Sequence, residues 1–197
     1  MKTTRISALW PGLLSGAAAG AAGTTALDVI TYLDIAVRGR PTSTTPERTV
    51  EAMARLFGLT VPGTGDVLAN RLLGLGALTG YAAGIGMGLI LGLAYALGWR
   101  PGLFVATLVA TAIALIGTNG PMTVLGVTDP RTWGVVGWVS DLVPHLGYGV
   151  VTVLVLHYLY RPSAETPHRE AIEPARSPVV GIGNGAATSS PSCDGPP

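Results

Sequence analysis

The sequence predicts an all-α polytopic membrane protein: a four-transmembrane-helix bundle with a short amphipathic helix after the first span and a disordered C-terminal tail. Three observations carry this. Charged residues make up 12% of the 197 positions, against about 25% in soluble domains. The charges avoid long stretches: Leu72–Trp99 and Pro101–Thr128 each run 28 residues without Asp, Glu, Lys, Arg or His, and Ala8–Leu27 runs 20. A soluble helix places charge on its wet face every turn or two. Finally, 28 glycines sit largely inside these runs, where small residues let helices approach closely in lipid. A disordered chain is excluded by the 48% apolar content, a nucleic-acid binder by the net charge of +1, and a disulfide scaffold by the lone Cys193.

A helix needs about 20 mostly apolar residues to cross the hydrocarbon core. Four such spans fit, at about 8–37, 70–99, 102–119 and 133–160, within a domain of residues 1–161. Lys2 and Arg5 resemble a signal-peptide start, but the apolar stretch continues to Val37, too long for a cleaved segment. The first span is therefore retained, from near Trp10 to Arg38. Thr45 as N-cap, Pro46 at the first helical position and Glu47 in the first turn then start a short helix, 46–57. Val50, Met53, Ala54 and Phe57 share one face, so this helix lies on the membrane surface or caps the bundle.

The second span ends at Trp99-Arg100-Pro101-Gly102, a tight turn that makes spans two and three an antiparallel hairpin. The third has a dense apolar run of only 14 residues, Leu103–Ile116. That is about 21 Å of helix, short of a core of about 30 Å. Gly117-Thr118-Asn119-Gly120-Pro121 follows and is expected to break the helix inside the membrane. The fourth span contains Pro144, expected to kink it. Seven of the 15 prolines fall in residues 162–197, the disordered tail. One lysine against 11 arginines suits a G+C-rich bacterial genome. The cell inner (cytoplasmic) membrane is then the expected location. Basic residues divide evenly between the two sides, so a lean toward cytoplasmic termini rests on the long tail alone.

Glycines recur every fourth residue at Gly12, Gly16 and Gly20, continued by Thr24, and at Gly76, Gly80, Gly84, Gly88 and Gly92. These stripes are expected to pack helices together, within one chain or between copies. Asp28 extends the first stripe and is expected to face the packed interior, while Asp34 reads as an interfacial acid near Arg38. Asp141, His145 and Tyr148 share one face of the fourth span at positions i, i+4 and i+7. An ionisable residue inside a span points to function by default. Asp141 can hold the His145 tautomer, and the pair with Asp28 can relay protons or ions. A polar cluster that fixes helix register is the competing reading, and metal or hydrolytic chemistry a third. One His and one Asp are too few for a closed metal site, and no cofactor is expected. No GxSxG, HExxH, P-loop or Cys pair names an enzyme class.

Gly126-Val127-Thr128-Asp129-Pro130, the aromatic start of the next span, and Ser140-Asp141 with His145 four residues on resemble the last-span region of YagU-like small inner-membrane proteins. These share a Gly-apolar-Thr-x-Pro turn, an acid and a histidine one helical turn apart, and a Gly-rich first span. The resemblance covers about 35 residues and the span order. This chain departs from it in the Pro-rich tail and the shorter first connection. It implies a role for Asp141 and His145 without naming a reaction. The expected function is a small membrane protein that assembles through Gly-lined helices and handles protons or ions at Asp28, Asp141, His145 and Tyr148. The alternative is an accessory subunit of a larger membrane complex. Partners are the lipid bilayer and a second copy or another membrane protein.

Overall fold

The computed structural model describes residues 3–160, with side chains from Leu9 onward. The tail 162–197 and Cys193 lie outside the described residues. The elements are α1 (Thr3–Arg38), α2 (Thr45–Leu56), α3 (Gly65–Ala96), α4 (Leu103–Val124), a short turn of helix at Pro130–Thr132, and α5 (Val135–Leu159). Among the described residues there is no strand. Leu9–Arg38 of α1, together with α3, α4 and α5, are long and apolar enough to cross a membrane. The protein is a multi-pass helical membrane bundle. Its outward side chains fit lipid: Val37, Phe104 and Val135 are 83%, 75% and 80% exposed, a surface that water would not tolerate in a monomer.

Helix α1 packs against α3 and α5, and α4 packs against α5 and α3. Neighbours run antiparallel: Gly12 meets Gly92 and Gly20 meets Gly84, while Asn119 near the end of α4 reaches Asp141 near the start of α5. The core is built from small residues interleaved with a few large ones. Ala19, Ala106 and Ala110 are fully buried around Leu91, Tyr95, Val153 and Leu156. Met87, Ala114 and Tyr148 form a second cluster.

The α1–α3 seam explains the glycines. A Cβ on Gly88 would lie 2.6 Å from the Gly20 Cα and closer still to the Gly16 carbonyl oxygen. A Cβ on Gly16 or Gly92 would collide with the opposite backbone in the same way, and one on Gly20 would stand 2.6 Å from the Gly84 oxygen. These backbones touch with no side chain between them. The stripe does not hold along the whole of α3. Gly76 packs instead against Pro46 of α2, and nothing lies within 4 Å of a Cβ placed on Gly80. A four-residue step turns about 400°, so the stripe drifts about 40° per step. By Gly80 it has rotated off α1, and by Gly76 it faces the surface helix.

Two local expectations need correction. The helix break at Gly117–Pro121 does not occur, because α4 runs unbroken to Val124 through Pro121. The Thr118 hydroxyl donates back to the Ala114 carbonyl at 2.9 Å and Gly117 seats against Met87. The third span is therefore 22 residues long, enough to cross. Thr45 is not the N-cap: it is the first helical residue, and its N–H is taken by Ser43 Oγ at 3.2 Å. Helix α2 buries Thr49, Val50 and Ala52, while Met53 and Phe57, on the same side as Val50 and Ala54, are 40% and 74% exposed. Those two line an open apolar groove with Leu59, Val61 and Leu75. Helix α5 continues through the buried Pro144, which lacks the N–H that would reach the Ser140 carbonyl.

Candidate functional site

The α4–α5 seam carries the polar groups. Asp141 and His145 lie one turn apart on α5, about 9 and 15 Å along the helix from its start at 1.5 Å per residue. His145 is 7% exposed. Its Nδ1 sits 2.7 Å from the Asp141 carbonyl oxygen and 3.4 Å from Asp141 Oδ1. Its Nε2 sits 3.1 Å from Thr118 Oγ1. Asn119 Nδ2 donates to Asp141 Oδ2 at 2.8 Å. Two helices thus supply two residues each, and every polar atom of the pair has a partner.

These contacts determine where protons sit. A carbonyl oxygen only accepts, so the ring nitrogen at 2.7 Å from it carries a hydrogen. Nδ1 is therefore protonated in either charge state, and Nε2 is the position that gains or loses a proton. When Nε2 is bare, the Thr118 hydroxyl donates to it. When Nε2 carries a proton, it donates to Thr118 Oγ1, and the hydroxyl hydrogen turns to the Ala114 carbonyl at 2.9 Å. The Thr118 rotor has an acceptor waiting in each state. The Asp141 carboxylate lies close enough to balance an imidazolium, and Asn119 holds that carboxylate in place.

The sequence presents Thr118 and Asn119 only as part of an expected helix break. The available signal was their polarity: they interrupt an otherwise apolar run at the depth where Asp141 and His145 also fall. Asn119 continues outward as well. Its carbonyl accepts from the Thr123 hydroxyl at 2.7 Å. Thr123 in turn lines a polar cavity of about 350 Å³ with Gly126, Val127, Thr128, Asp129 and Arg131. At the same end of α5, Ser140 Oγ accepts from Arg38 at 2.6 Å, and Arg38 and Arg40 both grip Asp34, with Nε to carboxylate distances of 2.7 and 2.6 Å. The pair therefore lies below a polar layer at one end of the bundle.

Two expected members of the cluster sit elsewhere. Tyr148 is buried, but its hydroxyl donates across the bundle to the Gly84 carbonyl at 2.8 Å, which ties α5 to α3. Asp28 faces the Tyr81 hydroxyl of α3 and is only partly buried. It lies on the α1–α3 seam rather than with Asp141 and His145. The same drift that carries Gly80 off the seam rotates Asp28 to its rim. Among the described residues, no three His, Cys, Asp or Glu side chains converge to hold a metal ion.

Compared with known proteins, the chain matches no family model, no curated protein and no solved structure.

Proposed function

We propose that this protein handles protons across or within the membrane at an Asp141–His145–Thr118–Asn119 site. The observation that carries the reading is the pair of acceptors around the Thr118 hydroxyl, His145 Nε2 at 3.1 Å and the Ala114 carbonyl at 2.9 Å. With these, His145 takes up or releases a proton while its other hydrogen bonds stay intact. Protons enter from the polar cavity beside Thr123 and reach the pair past Asn119. Further along α4, the buried Thr111 hydroxyl has no hydrogen-bond partner. It continues the line of hydroxyls two turns beyond Thr118. Asp28 and Tyr148 drop out of the relay on their contacts. In this reading the glycine stripes form a zipper that holds α1 to α3 and keeps the seam dry. The host membrane is a bacterial inner membrane, in keeping with the resemblance to YagU-like proteins, and the long tail favours cytoplasmic termini.

Proton flux into proteoliposomes, followed with an internal pH dye, tests this. Wild-type protein should collapse an imposed pH gradient faster than empty vesicles. Asp141→Asn and His145→Gln should abolish the difference while the helical circular-dichroism spectrum is kept. No flux above the empty vesicles, or equal flux in all three proteins, would favour the accessory-subunit reading, in which the fully bonded pair only fixes helix register.

A further inference from the structure

Among the described residues, Asp28 is the one carboxylate placed near the middle of a span and away from the α4–α5 seam. It lies ten residues from the Arg38 end of Leu9–Arg38. Its partner within the chain is the Tyr81 hydroxyl, and both side chains are accessible: Tyr81 is 39% exposed and Asp28 is partly exposed. What surrounds them is the outside of the bundle. Leu14 and Tyr32 are 68% and 63% exposed, Ala18 and Thr25 are exposed, and Ala21 is partly so.

These residues form a pattern. Leu14, Ala18, Ala21, Thr25, Asp28 and Tyr32 step by four, three, four, three and four along α1. That is the spacing of a left-handed helix–helix seam. It is a different face from Gly12, Gly16 and Gly20, which are already consumed by α3. Beside it Gly80 of α3 has nothing within 4 Å of a Cβ position. The face is narrow, flanked by small residues, and centred on an acid.

We propose that a second copy of this chain packs on the Leu14–Tyr32 face of α1, with Asp28 of each copy at the contact. Lipid tails supply neither donor nor acceptor to Asp28, so lipid is a poor occupant. A second copy supplies both. Two copies with the same topology are related by an axis along the membrane normal, so equal residues meet at equal depth. The twofold contact is then isologous and must be self-complementary. This face is: it carries an acid with hydroxyls one turn to either side, at Thr25 and Tyr32. The Thr25 hydrogen is given to the Ala21 carbonyl at 3.0 Å, which leaves its oxygen as an acceptor. Two facing carboxyls share one proton. The ionised one is served by Tyr81 of its own chain and Tyr32 of the partner subunit. The proposal stands apart from proton handling at His145, which uses neither helix α1 nor α3.

Inter-copy disulfide formation in bilayers tests it, on the full chain with Cys193→Ser as background. Single cysteines at Ala18, Ala21, Thr25 and Tyr32 should cross-link copies. A cysteine at Leu33, which is 59% exposed but lies about 100° round the helix from the middle of that face, should not. Asp28→Leu should weaken the dimer by at least about threefold, the scale of one intramembrane polar contact. Asp28→Asn, which keeps an amide for hydrogen bonding, should retain it. Equal cross-linking at Leu33 and Thr25, a monomer at every protein-to-lipid ratio, or another protein held on this face in place of a second copy would overturn the proposal.

Discussion

Replacing Gly88 by alanine adds one methyl where the α1 and α3 backbones touch, and its cost follows from the contacts. The new Cβ would stand 2.6 Å from the Gly20 Cα and 2.7 Å from the Gly20 nitrogen. Carbon atoms in ordinary contact sit about 3.5–4.0 Å apart. The helices must therefore separate locally by about 1 Å, and neither neighbour is a flexible side chain that can swing away. A gap of that size forfeits up to half of each atom-pair attraction of about 0.1–0.2 kcal/mol. Over some tens of pairs along the seam this reaches about 1–3 kcal/mol, the usual range for overpacking. Alanine also favours helix over glycine by up to about 1 kcal/mol, which blurs a single measurement. Gly80→Ala removes that ambiguity, since it makes the same chemical change where nothing lies within 4 Å. Reversible unfolding in mixed micelles should find Gly80→Ala neutral or stabilising. Gly88→Ala should be less stable than Gly80→Ala by about 1–3 kcal/mol. Equal stability of the two variants would refute the claim that backbone contact, rather than glycine content, holds α1 to α3.

Other outcomes follow from single contacts. Tyr148→Phe removes the hydrogen bond to the Gly84 carbonyl and should cost about 0.6 kcal/mol, at most about 1.7, with proton flux unchanged; lost flux would return Tyr148 to the site. Thr118→Val keeps the shape but removes the rotor, and should lower flux strongly, whereas Thr118→Ser should restore it. Asp34→Asn loosens an exposed ion pair whose side chains are 29–37% exposed, so its effect on unfolding should be slight. Spin labels at Phe57 and Met53 should report lipid, while one at Val50, which is 8% exposed, should be immobilised by α3; equal mobility at all three would contradict the packing of α2.

The span count and the helix order were legible because charge-free runs longer than a bilayer have no other stable home. The Asp141–His145 register was legible because i, i+4 spacing on a helix is purely local. The remainder depends on rotation between helices, which spacing along one helix does not specify. Gly76 and Gly80 continue a perfect four-residue repeat yet leave α1, since the repeat drifts around the helix. Asp28 was misplaced by that same drift. Thr118 and Asn119 were hidden by their neighbours: Gly and Pro break helices in water, but within the bundle α4 continues through Pro121, losing only the bond its missing N–H would make to the Gly117 carbonyl. Their polar side chains face α5 because Asp141 and His145 need partners there.

Nitrogen-15 NMR of the His145 imidazole, in bilayers and across a pH series, tests the central claim most directly. A hydrogen should stay on Nδ1 throughout, held by the Asp141 carbonyl, with Nε2 alone exchanging its proton against Thr118. A neutral ring protonated on Nε2 and bare at Nδ1 would contradict it, because Nδ1 would then face a carbonyl oxygen at 2.7 Å with no hydrogen between them.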